Sequence, residues 1–386
     1  MKFSPIMNQK NHDAVVGYIP QITGVRAIAA YMVYFHHFPP VYILHPFLLQ
    51  LTKELHTGVG LFFVLSGFLI YQRYYESAKP HSHWWATYIR NRVARIYPMY
   101  FLLTCAGFAS RLIRHNEFKA VDFILNITFL RGFSFDYLFT GIPQGWTLTV
   151  EECFYFSAPL IFFATRRWNM LVPLGFIYCT GFLLLLAGQA INFKQFFSPF
   201  LFMFFYTFFG RCFEFFAGMW LARFLMKREK EGRPPKTRFV TWLGIAAAAA
   251  SIYVMSLQQP QSAYMGVGMF TPIGGVLNNF ILPICYAMIY YGLIVEQTWL
   301  RKFLATDTMV LLGKSSYIYY LIHMGLIEAI VERVSPDFRA WHGAIVQFIL
   351  LNIIAIVLFK FVEDPLNHWI RKHWKWGKQV PASANT

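Results

Sequence analysis

A chain of 386 residues that is 57% hydrophobic and only 13% charged cannot cover itself as a soluble protein does, because a soluble surface takes roughly a quarter of charged residues. The mean hydropathy of +0.43 and the 42 phenylalanines point the same way, to a surface that mostly faces lipid. The formal charge of +16 would point to nucleic acid in a soluble protein, but here the basic residues fall in short segments between apolar runs, where positive-inside topology puts them.

Residues 1–20 are polar, lack the apolar core of a signal peptide, and read as a cytoplasmic segment. A helix needs about 20 apolar residues to cross a bilayer. Ten such segments follow, near 22–43, 57–72, 98–113, 147–165, 170–190, 199–226, 238–257, 276–295, 308–331 and 341–362. The stretch 121–131 is apolar but too short to span, and reads as interfacial or re-entrant. With the N-terminus inside, inner segments carry about three times as many Lys and Arg as outer ones. The expected fold is therefore all-α and membrane-embedded, a bundle of about ten transmembrane helices with both termini cytoplasmic. Residues 366–386 form a basic tail in which Trp369, Trp374 and Trp376 suit a membrane-surface anchor. The five cysteines sit in or beside apolar segments without a CxxC pair, so neither a disulfide framework nor a metal site is expected.

Charged groups at membrane depth are costly, and each is a candidate for function. In ITGVRAIAAYMVYFHH, Arg26 and His37 are eleven residues apart. Eleven steps of about 100° bring both to one helix face, about 16 Å apart along the axis. His36 points about 100° away and is the weaker candidate. Next come Arg92 and Arg95, neighbours on a helix just before the third span, spaced to grip phosphates with forked hydrogen bonds. Positive-inside anchoring is the plainer explanation of that pair. Glu151 follows Trp146 at the outer end of the fourth span, and a carboxylate at that depth can orient a histidine. Arg211 and Glu214, three apart in the sixth span, are placed to pair with each other. His323 lies about as far from the inner end of the ninth span as His37 does in the first, so the two histidines can flank one cavity. Tyr317, in the same segment, is a further candidate.

At these residues the chain resembles the acyltransferase 3 family of membrane acyltransferases. The resemblance rests on ITGVRAIAAYMVYFHH, HTGVGLFFVLSGFLIY, RNRVARIYPMY, GWTLTVEECFYF, RCFEFFAGM, LLGKSSYIYYLIH and FVEDP, seven motifs in the family's order. It covers about 21–365, the expected membrane domain. Thr23 and Gly60 stand where acidic residues are common, and Thr147 and Thr149 stand where serines are. The resemblance implies an O-acyltransferase that binds no resident cofactor and takes acyl-CoA, most commonly acetyl-CoA, from the cytoplasm. Arg92 and Arg95 would hold its phosphates, and its pantetheine arm would pass Arg26. His37 would act as general base, or carry the acyl group briefly, with Glu151 orienting it. Ser66 lacks the G-x-S-x-G frame of a nucleophile and reads as helix packing. The acceptor would be a carbohydrate or glycolipid, the location the bacterial inner membrane, and membrane lipid the surrounding partner; nucleic acid is excluded. Some relatives carry an extra hydrolase-like domain, which is not expected in this sequence. A transporter or flippase of a lipid-linked sugar is the competing expectation, since it too would line a path with Arg, Glu and His.

Overall fold

The computed structural model describes residues 18–41, 45–78, 84–232, 237–258, 266–334 and 341–374. Residues 1–17 and 375–386, with most of the expected N-terminal segment and half of the expected tail, lie outside them. The described residues are helical and contain no strand. In chain order the helices are α1 (Pro20–His37), α2 (Pro46–Thr52), α3 (Gly58–Tyr74), α4 (Trp84–His115), α5 (Ala120–Ile127), α6 (Trp146–Arg167), α7 (Leu171–Ile191), α8 (Phe200–Tyr206) and α9 (Phe208–Lys230). They continue as α10 (Val240–Leu257), α11 (Pro272–Val276), α12 (Leu282–Val295), α13 (Trp299–Leu304), α14 (Asp307–Ile322), α15 (Leu326–Val334), α16 (Trp341–Leu358) and α17 (Asp364–His373).

Seven of these helices or continuous helical runs are long and apolar enough to cross a membrane: Pro46–Tyr74, Trp84–His115, Leu171–Ile191, Phe200–Lys230, Val240–Leu257, Pro272–Val295 and Gly343–His373. The other three segments expected to span form the helices α1, α6 and α14, of 18, 22 and 16 residues. They bring Arg26 and His37, Glu151, and Tyr317 and Tyr320 to the candidate site. Two boundaries differ from expectation. The third span continues as one 32-residue helix through Arg90–Ile96 and Pro98. The ninth stops at Ile322, because Gly325 takes φ +102 and turns the chain into α15. The interfacial stretch at 121–131 is the short helix α5 followed by a tight turn at Leu130–Phe133.

Small residues let the central helices meet backbone to backbone, the packing device available where lipid supplies no hydrophobic drive. A Cβ on Gly67 would collide with the Phe215 carbonyl, and one on Gly218 with the Val64 carbonyl, so α3 and α9 cross in direct contact. Helix α1 lies parallel to α14 along its length. Gly313 abuts Thr23 at one end, Tyr31 meets Tyr319 in the middle at 5.2 Å between ring centroids, and His37 stacks on His323 at the other at 5.5 Å. Tyr31 donates to Asn352 Oδ1 at 2.5 Å and Tyr34 to Gln347 Oε1 at 3.0 Å, tying α1 to α16 as well.

Candidate active site

Two cavities lie end to end in the bundle. The inner one, of about 130 Å³, is lined by Arg26 of α1, Ser66 of α3, Arg92 and Arg95 of α4, Glu151 of α6 and Tyr317 of α14. Three guanidiniums around one small space need compensation. Arg95 pairs at 2.7 Å with the buried Glu363, on the π-helical turn that precedes α17. The Arg92 guanidinium lies over the Tyr155 ring at 5.5 Å, while its Nε is buried without a hydrogen-bond partner. Tyr317 donates to the Ile96 carbonyl at 2.8 Å and locks α14 to α4 beside the arginines. The Arg92–Arg95 spacing thus delivers both side chains, with Arg26, to one anion-compatible chamber.

The outer cavity, of about 90 Å³, is lined by His36 and His37 at the end of α1, by His56, and by Trp146, Tyr206 and Arg211. His37 is exposed, so it stands at the mouth of this cavity rather than deep in the bundle. Its ring lies 4.7 Å from that of His36, and His36 lies 5.4 Å from His56. His56 contacts the buried Glu54 at 3.3 Å, and Glu54 also accepts from the Gly268 N–H at 2.7 Å. His323 is fully buried, with Nδ1 on the Tyr320 carbonyl at 2.7 Å and Nε2 without a partner. Arg211 and Glu214 form the expected pair, doubly bonded at 2.7 Å and 2.7 Å, and Arg211 also covers the Phe63 ring. The absence of a side chain at Gly60 makes room for this pair: a Cβ there would lie 2.8 Å from Glu214 Oε1.

The expected partnership of Glu151 with His37 is not what the structure contains. Glu151 accepts from Ser66 Oγ at 2.5 Å and from the Tyr155 hydroxyl. Trp146 lines the cavity of His37, and Glu151 lies five residues farther in, roughly 7.5 Å deeper at 1.5 Å per residue. Ser66, read from sequence as packing alone, is its hydrogen-bond partner in the arginine chamber. The carboxylate that does serve the histidines is Glu54, through His56. Sequence reasoning passed over it and undervalued His36. The signal was there in the His at the head of HTGVGLFFVLSGF, two residues after Glu54.

The cavities share two lining residues, Val59 and Tyr320. The Tyr320 hydroxyl donates to the Gln144 carbonyl at 3.1 Å and lies 3.1 Å from Thr147 Oγ1, so it is fixed to the start of α6. Gln144 returns the contact, its amide donating to the Tyr320 and Leu321 carbonyls at 2.9 and 2.8 Å. The loop that presents Gln144 is held by Arg131. This residue is fully buried and donates to the carbonyls of Thr140 and, at 2.6 Å, Ile142.

A family model described as an acyltransferase domain matches residues 19–361. An Acidianus two-tailed virus protein, provisionally named an acetyltransferase, is 32% identical over 50% of this chain and 55% of its own length. A Staphylococcus aureus (strain COL) protein, provisionally named an O-acetyltransferase, is 24% identical over 90% of this chain and 57% of its own. The O-acetyltransferase OatA of Staphylococcus aureus (strain NCTC 8325 / PS 47) is 22% identical over the same shares. The chain therefore spans just over half the length of the curated relatives it matches. No solved structure matches it.

Proposed function

This chain belongs to the acyltransferase 3 family and is a multi-pass membrane protein, and from that premise we propose that it moves an acyl group, most simply acetyl, from cytoplasmic acyl-CoA to a hydroxyl of a carbohydrate or glycolipid acceptor. The observation that carries the reading is the end-to-end arrangement of a three-arginine chamber and a histidine chamber with only Val59 and Tyr320 common to both. In this reading ten helices span a bacterial inner membrane with both termini cytoplasmic. The arginines then face the cytoplasm and His37 the far side.

Phosphates are gripped at the inner mouth by Arg92 and Arg95, whose forked donors match phosphate oxygens. Arg26 lies beside the pantetheine arm and guides it inward. The chamber takes the thioester end of the arm and leaves the nucleotide outside. Glu151 offsets the arginine charge and holds Ser66, so the thioester faces a neutral wall. His37 is reached by the acceptor from the open side. The acceptor hydroxyl gives its proton to the imidazole, its oxygen attacks the thioester carbonyl, and the carbon–sulfur bond breaks. The departing thiolate takes the proton back from the imidazolium. Base catalysis contributes about 10²- to 10⁴-fold, and holding donor and acceptor together supplies much of the rest. His323, stacked on His37, fixes its plane.

The test is consumption of acetyl-CoA by the purified protein with a bacterial cell-surface glycan fraction, scored by mass spectrometry of the glycan. His37→Ala should cut transfer at least a hundredfold while acetyl-CoA still binds. Full transfer by that variant would remove His37 from the chemistry. A protein that never consumes acetyl-CoA but moves a lipid-linked sugar across vesicles would be the transporter instead.

A further inference from the structure

We propose that Tyr320 and Val59 are specificity-determining residues that limit the transferred acyl group to short chains. The proposal rests on the acyl-transfer reading above and names what that site admits. The thioester enters from the arginine chamber, whereas His37 lines the other chamber. The acyl group must therefore pass the two side chains that both chambers share.

Neither side chain has slack. The Tyr320 ring is held at both ends, by its hydroxyl on the Gln144 carbonyl and by its own carbonyl under the Gln144 amide. It packs edge-on to Phe62, 6.1 Å between centroids, and lies 5.5 Å from the His323 ring. Val59 is buried between two glycines that are both occupied from outside. A Cβ on Gly58 would strike the Ala29 carbonyl, and one on Gly60 would lie 2.8 Å from Glu214 Oε1 and 3.1 Å from Tyr286. Helix α3 therefore cannot retreat to widen the passage without breaking the Arg211–Glu214 pair or the α1–α3 contact.

A chain too long to clear these two side chains has to stay among the arginines or displace the Tyr320 ring.

The experiment is calorimetric titration of the purified full-length chain with coenzyme A and with acyl-CoAs of two, three, four, six and eight carbons, alongside rates of coenzyme A release from each. The wild type should bind acetyl- and propionyl-CoA at least as well as coenzyme A, and lose tenfold or more in affinity and release rate from four carbons onward. Val59→Ala should move that break to six carbons or beyond, and Tyr320→Phe, which only unlatches the ring, by one or two carbons. Val59→Phe should bring the break down to acetyl while coenzyme A still binds. If that variant fails to fold, Val59→Leu serves in its place. Coenzyme A binding with no dependence on chain length, or a break that stays put in all these variants, would overturn the proposal and leave the donor reading intact. A protein that binds neither coenzyme A nor any acyl-CoA would end both.

Discussion

Arg92 has an Nε buried without a partner, in a chamber where Arg95 already has Glu363. Of that pair it is the one with no carboxylate partner, and so has the more to gain from an incoming phosphate. Arg92→Ala should weaken acetyl-CoA binding by about tenfold or more, as expected for losing a charged hydrogen bond worth roughly 1.5–3 kcal/mol. The affinity should also fall as salt screens the remaining arginines. Titration at two ionic strengths checks both, and equal loss of acceptor binding would mean a structural role. Glu151→Gln keeps an acceptor for Ser66 but removes the only carboxylate among the chamber's lining residues. It should alter donor KM more than the pH profile of turnover; the reverse would restore Glu151 as a partner of the base. The arginines were legible because i,i+3 spacing fixes direction on any helix. Depth was not. Counting residues from Trp146 set Glu151 level with His37, but Trp146 itself is drawn to the histidine chamber by the loop that the buried Arg131 pins down. Nor does a 100° step separate His36 from the site, since both rings sit on the last turn of α1 and His56 comes to meet them.

Helix α10 begins against a carboxylate from elsewhere in the chain. Glu296, in the loop after α12, accepts from the Val240 and Thr241 N–H groups at 2.8 and 3.1 Å and from the Thr241 hydroxyl at 2.6 Å. Burial alone would raise its pKa, but these hydrogen bonds outweigh burial and hold it below the usual 4.5. A carboxylate depressed in the folded state adds stability that is complete above its unfolded pKa and is lost as pH falls through the folded one. Thermal unfolding in detergent should therefore show wild-type stability dropping below about pH 4.5. Glu296→Ala should be destabilised by about 1–2 kcal/mol at neutral pH and lack that part of the fall. The α3–α9 crossing is less forgiving, because a methyl on Gly218 meets the Val64 carbonyl and the Phe68 nitrogen rather than a side chain that can turn aside. Gly218→Ala should cost about 1–3 kcal/mol by overpacking, measured the same way. Apolar length located the long helices but not the short α2, α11, α13 and α17. It missed the break after Ile322, which depends on a single positive φ, and, although Arg92 and Arg95 read as helical, it did not show that their helix runs unbroken into the third span.

At the scale of the molecule, hydropathy alone selects seven crossings, and the helices it passes over include those that carry Arg26, Glu151 and Tyr320. Function and apolarity compete for the same positions, so a segment that lines a polar chamber can look unlike a membrane span. The basic-residue count argues for ten crossings with the N-terminus inside. In a chain whose five native cysteines are replaced, an impermeant thiol reagent added outside cells should label a cysteine at position 117 and spare one at 229; the opposite pattern would invert the molecule. The pairing of α1 with α14 has a consequence in time. The first helix leaves the ribosome carrying Gln21, Arg26, Tyr31 and Tyr34, and the partners of three of these come from the far end of the chain: the Leu293 carbonyl, Asn352 and Gln347. At roughly 5–20 residues per second, that helix waits on the order of a quarter of a minute to a minute for the segments that complete it. Until then it is a guest of the insertion machinery, and a nascent chain released before α14 would leave His37 without the ring of His323 to stack on.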